Sequence, residues 1–144
     1  MAAKVVIIAE AVRDALNAGS FSQGFQADRT YRPARELTEL AALRVTVVPR
    51  SIADEAASRS GDATEYGVDV AVRKKLSAEA VDAEADGLVA LCEEIVAHFR
   101  RRRLAGEADA ICSRTESVPV FSAEHLETSN VFVGVVTLYF KVIG

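Results

Sequence analysis

The last segment of the chain limits the fold more than any other. From Asn130 to Ile143 the side chains alternate as in a β-strand, but the residues on both of its faces are apolar. One face carries Val131, Val133 and Val135, and the other carries Phe132, Val136, Leu138, Phe140 and Val142. A strand of this kind has to be covered on both sides, by helices, by other parts of the chain or by a partner.

Four other segments predict strands. The clearest alternation runs from Tyr66 to Val72, with apolar and polar residues on opposite faces. Leu43 to Val47 alternates before Pro49, and a further strand is expected around Asp109 to Thr115. The segment from Phe21 to Arg32 is expected to be extended, with part of it a strand.

The connections between these segments differ in composition. Residues 50–64 are small, polar and charged, and we expect them to form a long, mobile loop. Pro33 to Leu40 is expected to be a short helical turn with Leu37 and Leu40 facing inward. A loop containing Pro119 and a short turn from Ser122 to Glu127 are expected before the last strand.

Two segments have the apolar spacing of amphipathic helices. The first is predicted over residues 3–18, ending at Gly19, with the apolar positions Val5, Ile8, Ala9, Val12, Ala15 and Leu16. The second is predicted to begin near Ser77 or Asp82 and to end at Gly106. Its apolar stripe consists of Leu88, Leu91, Cys92, Ile95 and Phe99.

These elements predict a single α+β domain over residues 1–144. The helices and hairpin strands are segregated rather than strictly alternating, which favours a mixed, mostly antiparallel sheet of four to five strands. We expect the two main helices to pack on one face of this sheet. Half of the 144 residues are hydrophobic, so a core of ordinary size can form without metal or disulfide support.

Charge and composition exclude several classes of function. The formal net charge of −4 disfavours broad attraction to nucleic acid or to an anionic membrane. No window reaches the roughly 18 apolar residues that a membrane span needs. Cys92 and Cys112 are expected to be buried free thiols in a reducing compartment. The expectation is a soluble, intracellular chain.

No motif in the sequence predicts a catalytic, cofactor-binding or metal site. The glycines of Gly19–Gly24 are not followed by the Lys and Ser/Thr of a phosphate-binding loop. His98 and His125 lack clustered ligands, and His98 is expected to be partly cationic near a helix C-terminus. Asp82, Glu84 and Asp86 fall on different faces of a helix. We therefore expect neither an enzyme nor a cofactor.

The apolar surfaces instead favour assembly. Fourteen residues of strand span about 46 Å, whereas a domain of this size has a radius of gyration of about 14 Å. The arginine run Arg100–Arg103 is expected either to cap a helix C-terminus or to contribute to a salt-bridging contact. The residues predicted to lie in or near a subunit interface are Val131, Val133, Val135, Tyr139, Arg100 and Arg101.

Five stretches in order cover most of the chain: VVIIAEAVRDALNAG, LRVTVVP, EYGVDVAVRKKL, DGLVALCEEIVAHFR and NVFVGVVTLYFKV. In this order and pattern the chain resembles the tail terminator (tail-completion) proteins of long-tailed bacteriophages. The resemblance implies a ring, usually of six subunits, that caps the head-proximal end of the tail tube and stops its polymerisation. It implies contacts with the tail tube protein and with head-side neck proteins. It also implies that genomic DNA passes through the lumen without specific binding.

That resemblance places the protein in the virion, after assembly in the host cytoplasm. Two other functions stay open. One is a head-side neck or adaptor protein of a phage, which differs in its partner. The other is a small dimeric regulatory domain that binds a ligand, for which Asp28, Arg29, Tyr31 and Arg35 are the candidate cluster.

Overall fold

A computed structural model of the chain describes residues 3–32, 40–58 and 61–143, with side chains over 3–32, 40–54 and 62–143. Over these residues it contains three helices and six strands. The helices are α1 (Lys4–Ala18), α2 (Val81–Phe99) and α3 (Ala123–Ser129). The strands are β1 (Ala27–Arg29), β2 (Arg44–Ser58), β3 (Gly61–Lys75), β4 (Arg103–Leu104), β5 (Glu107–Glu116) and β6 (Val131–Ile143).

The strands form one mixed sheet in the order β1-β2-β3-β6-β5-β4. The short strand β1 runs parallel to β2, and all the other neighbours are antiparallel. The predicted α+β class is therefore confirmed. The strand number is higher than predicted because β4 has only two residues, too few to give a sequence pattern. The turn expected after Pro119 contains the third helix, α3, with Ser122 as its N-cap.

Alternate residues of the central strands β3 and β6 build the core on one face of the sheet. Val68, Val70 and Val72 lie beside Leu138, Val136 and Gly134 of β6 in the strand register. The helix stripes predicted from spacing are confirmed, since Ile8, Val12 and Leu16 of α1 are buried. The same holds for all five predicted positions of α2, which are Leu88, Leu91, Cys92, Ile95 and Phe99.

The sheet curls around α1, so this helix contacts both edge strands, β1 and β4. At one end, Asn17 bonds both backbone groups of Ala27 in β1, donating to its carbonyl over 3.1 Å and accepting from its N–H over 2.7 Å. At the other end, Lys4 pairs with Glu107 at 3.0 Å and with Asp109 at 3.1 Å on β5. These contacts hold the first helix across the sheet.

The second helix begins next to Asp82, one of its two predicted starts, but its predicted end at Gly106 was wrong. Helix α2 begins at Val81 without a side-chain cap, and Glu84 instead accepts a hydrogen bond of 2.8 Å from the Ser77 backbone. The helix ends at Phe99 because Arg101 takes a left-handed conformation, with φ of 58°. Gly106 lies in the turn between β4 and β5, with φ of 87°.

The long loop predicted for residues 50–64 is also wrong. Strand β2 continues through Pro49 at a register shift and runs to Ser58, and β3 returns from Gly61. Strand β3 also pairs with β6, as far as Ala63 and Ile143. These backbone hydrogen bonds support the hairpin, although its small polar side chains do not predict strands. We call the described residues of this hairpin, 51–58 and 61–65, the arm. Of the predicted turn at 33–40, only Leu40 lies within the described residues, and it is buried.

Candidate functional site

The four predicted interface residues of the last strand share the sheet face that is turned away from the core, here called the second face. The shared face of Val131, Val133 and Val135 was predicted from their alternation, and the register places Tyr139 on the same face. Val131 and Tyr139 are only 3% and 9% exposed, and both are covered within this chain. Val133 and Val135 are half-buried. These two valines are therefore the more accessible part of the predicted stripe.

Charged residues cover much of the second face beside β6. Asp69 accepts a hydrogen bond of 2.7 Å from Thr137 and pairs with Arg50 at 3.1 Å. The hydrogen bond and the charge of Asp69 raise the pKa of Arg50. Arg114 pairs with Glu65 at 3.2 Å. Cross-strand pairs of opposite charge like these stabilise the sheet surface.

The segment 117–122 passes along the edge of β6 that β5 leaves uncovered. Among the described residues β5 pairs with β6 only from Thr137 to Lys141, so the first half of β6 has no neighbouring strand on that side. Instead, the Ser122 backbone donates to the Val133 carbonyl over 2.9 Å. The segment exposes Val118, Val120 and Phe121, by 76%, 45% and 40%.

A groove of about 600 Å³ opens between α2 and this segment. Its apolar wall consists of Val89, Val96 and Ala97 on α2 and Val120 on the facing segment. Glu93 and Glu116 carry negative charge along it, and Arg100 carries positive charge at the end of α2. We call this cleft the α2 groove. Because its walls are mostly apolar, it suits an apolar side chain of a partner better than a charged one.

The arginine run leaves α2 as an irregular turn rather than as a helical stripe. The Arg100 backbone N–H caps the helix by donating to the Val96 carbonyl over 2.9 Å. Arg103 already lies in β4 and donates to the Ala108 carbonyl over 2.9 Å. All four arginines are exposed, and no ion pair between described residues involves Arg100, Arg101 or Arg102. Arg100 lines the cleft beside α2, whereas Arg102 lines a separate pocket with Ala15 and His98.

Exposed apolar side chains also lie at the opposite end of the sheet, one on the arm and one at the end of β6. Ile52 is 59% exposed and lies beside Tyr66, on the helix-bearing face. Ile143 is 69% exposed and lies on the second face. The sequence analysis missed both, together with Val118, Val120 and Phe121. The exposed apolar residues of 118–121 could have been predicted, because the apolar run VPVF belongs to no periodic stripe of a helix or strand.

The two histidines have structural surroundings. The His98 ring packs against Phe21 and Phe99, with centroid distances of 5.4 and 5.0 Å. Burial lowers the pKa of His98, and the positive charge of Arg102 lowers it further. The expectation of a partly cationic His98 is therefore wrong, because burial outweighs the helix C-terminus. His125 lies in α3, where its backbone N–H donates to Ser122.

The remaining candidate ligands do not converge. Glu94 accepts a hydrogen bond of 2.7 Å from the Ser22 backbone and so anchors the segment after α1. Arg29 lies 5.1 Å from the Tyr31 ring centroid and pairs with Glu10 at 3.7 Å, while Arg35 lies outside the described residues. Within the described ranges, no group of three or more His, Cys, Asp or Glu side chains is placed to hold a metal ion.

Comparisons with known proteins add no family to this picture. No protein-family model matches the chain, and no curated protein matches it. Among the helices of the described residues, none has the length and apolar character needed to cross a membrane.

Proposed function

We propose that this chain is a phage tail terminator that assembles into a ring on the head-proximal end of the tail tube. The ring stops tube polymerisation, contacts the tail tube protein on one side and presents a docking face to a head-side neck protein on the other. Genomic DNA passes through the lumen without specific binding. The resemblance in element order supports this proposal.

One structural observation carries the proposal. The subunit has two unlike apolar surfaces at opposite ends of its sheet, one at the arm and one beside the 117–122 segment. At the arm end of the sheet, Ile52 is exposed on the helix-bearing face and Ile143 of β6 on the second face, and the segment exposes Val118, Val120 and Phe121. A two-fold dimer buries the same patch on both subunits, whereas a closed ring needs two different complementary patches on each. Two unlike patches therefore favour a head-to-tail ring.

Net charge fits a lumen that does not bind DNA tightly. The chain carries a formal charge of −4, and neutralising the phosphates of DNA takes lysine and arginine side chains. Arg100 and Arg101 then serve contacts between subunits rather than DNA binding. In this arrangement Val133 and Val135 border the contact, since they lie next to the 117–122 segment along β6.

Light scattering of the purified chain, alone and with tail tube protein, tests the proposal. A ring mass in either sample is expected, with tube growth stopped in the mixture. Val118→Asp places a charge on an exposed apolar position and should abolish the ring while leaving the fold intact. Tyr31→Ser removes a similarly exposed apolar side chain at the β1 edge and should leave the ring unchanged. A chain that stays monomeric with tube protein would overturn the proposal.

The α2 groove favours one second function, a ligand-binding regulatory domain. Its volume of about 600 Å³ lies within the range of small-molecule sites. Two observations together would favour the regulatory domain: a tight dimer that does not bind tube protein, and a ligand that raises its melting temperature.

A head-side neck protein would form a ring as well, but it would bind the head portal rather than the tube.

A further inference from the structure

We propose that a small pocket lined by His98, Arg102 and Arg103 binds a phosphate group. We call it the His98 pocket, and its volume is about 190 Å³. Its lining residues all belong to one chain, so the site does not depend on assembly of the proposed ring. The inference therefore goes beyond the proposed function, which assigns no ligand to this part of the subunit.

The His98 pocket lies where both long helices meet the edge of the sheet. Ala15 contributes from α1, His98 and Phe99 from the last turn of α2, and Leu104 from β4. Phe99 and Leu104 are buried, so part of the lining is apolar. The pocket is smaller than the roughly 300–1,000 Å³ of sites for larger small molecules, so it suits a single compact group.

The charge that lines the pocket has one sign. Two of the lining residues are arginines, Arg102 and Arg103, and in the described part of the chain no aspartate or glutamate lines it. No ion pair between described residues involves either arginine or His98. An anion in the pocket would therefore meet two positive side chains and no carboxylate of the lining.

The carboxylates that come nearest along the chain are engaged elsewhere. Glu94, one helical turn before His98, accepts a hydrogen bond of 2.7 Å from the Ser22 backbone. Glu107, at the start of β5, pairs with Lys4 at 3.0 Å. Neither carboxylate neutralises the arginines of the pocket, which leaves that role to a ligand.

The surroundings of the His98 ring agree with this reading of the charge. Burial lowers the pKa of His98, and the positive charge of Arg102 lowers it further. The ring is therefore neutral near pH 7, and one of its nitrogens carries a hydrogen that it can donate to an anion. An anion bound beside the ring would offset the charge of Arg102.

The framework of the pocket is held in place by contacts within the chain. The His98 ring packs against Phe21 and Phe99, with centroid distances of 5.4 and 5.0 Å. The Arg102 backbone N–H donates to the Phe99 carbonyl over 3.1 Å, and the Arg102 carbonyl accepts from the Cys112 N–H over 3.0 Å. A ligand then has to order only the arginine side chains, which keeps the entropic cost of binding small.

The donor groups favour phosphate as the ligand. Arginine presents a planar fork of N–H donors that matches two oxygens of a phosphate. Arg103 gives one of its guanidinium N–H groups to the Ala108 carbonyl over 2.9 Å, and the guanidinium carries further donors. Together with Arg102 and the His98 ring, these can bond several oxygens of one tetrahedral group. A free phosphate ion and the backbone of DNA both carry this group.

Nuclear magnetic resonance of the histidine rings tests the site. The chain has two histidines, so the variant His125→Gln assigns both sets of ring signals. Inorganic phosphate is added to the purified chain at constant ionic strength and at a pH of about 7.5, with sodium chloride as the reference. A saturable shift of the His98 signals is expected, with His125 unchanged. No shift, or the same shift in chloride, would overturn the inference.

Two variants of the arginine run give the matched comparison. Arg102→Gln should weaken phosphate binding by roughly tenfold or more, because it removes a charged donor from the pocket. Arg100→Gln removes the same charge from the same run but lines the α2 groove instead, and it should change the affinity by less than about twofold. Both positions are exposed, so neither substitution disturbs the core. Equal losses would mean a diffuse basic surface and contradict a built site.

A short DNA duplex, added at the same concentration of phosphate groups, identifies the source of the ligand. A His98 shift with inorganic phosphate but not with the duplex supports the pocket as a site for a free phosphate. A shift with the duplex at a lower phosphate concentration, lost in Arg102→Gln, supports the pocket as a contact with the DNA backbone. The absence of a shift with either ligand contradicts the inference, and it leaves the proposed ring untouched.

Discussion

The guanidinium of Arg114 lies over the ring of Tyr139, with its Cζ 3.7 Å from the ring centroid. The two residues are cross-strand neighbours on β5 and β6. Behind the ring, Gly67 leaves room for the aromatic edge, since a Cβ there would come within 3.2 Å of Tyr139 Cε1. Tyr139 is thus enclosed within its own subunit, although the sequence marked it as part of an apolar surface.

Replacing Arg114 with alanine should lower the free energy of unfolding by about 1 kcal/mol. The loss combines an exposed cation–π contact of about 0.5–1 kcal/mol with a largely solvent-screened ion pair to Glu65. Urea denaturation followed by tyrosine fluorescence measures the change. Arg13→Ala is the control, because Arg13 pairs only with the adjacent, exposed Asp14. Equal effects of the two substitutions would mean that the stacked arrangement adds nothing.

Gly134 in the last strand should not tolerate a side chain. A Cβ at this position would lie 2.9 Å from Phe132 Cε1, 3.1 Å from the Val120 carbonyl and 3.2 Å from Cys92 Sγ. Gly134→Ala is expected to destabilise the fold by about 1–3 kcal/mol, because the neighbours belong to the core and to a backbone segment. Gly24→Ala, with no atom within 4 Å, should change stability by less than about 0.5 kcal/mol. Thermal unfolding compares the pair.

The elements that bury a single stripe could be predicted from the sequence. In α2, the spacing of Leu88, Leu91 and Ile95 has a single physical cause, which is burial of one helix face. The alternation of Tyr66, Val68 and Val70 has the same cause in a strand. In both elements the residues on the buried face have to be apolar, so their spacing in the sequence identifies the helix or the strand.

The arm and the end of α2 could not be predicted in this way. The residues from Ser51 to Ser58 are small and polar, so their strand depends on pairing with β3 and, through β3, on β6. The helix ends at Phe99, and two residues later Arg101 takes the left-handed conformation that sequence reasoning assigns to glycine or asparagine. The groove requires the 117–122 segment to pass along β6, a long-range contact that leaves no periodic signal.

The surroundings of His98 predict a loss of stability in mild acid. The folded state lowers the pKa of this imidazole, so below the unfolded value of about 6.5 the unfolded chain binds more protons. The stabilisation is complete above that value and is lost as the pH falls through the folded pKa. Urea midpoints measured from about pH 7.5 to about pH 5.5 should therefore decrease for the wild type. His98→Gln should flatten this dependence, whereas His125→Gln should leave it in place.

Both cysteines should resist modification until the chain unfolds. Burial raises the pKa of the Cys92 and Cys112 thiols to about 11, so at a pH of about 8 very little reactive thiolate is present. Iodoacetamide with mass spectrometry should leave the native chain unlabelled and modify both residues in urea. Rapid labelling of Cys92 in the native chain would contradict its burial, and would show that α2 separates from the 117–122 segment in solution.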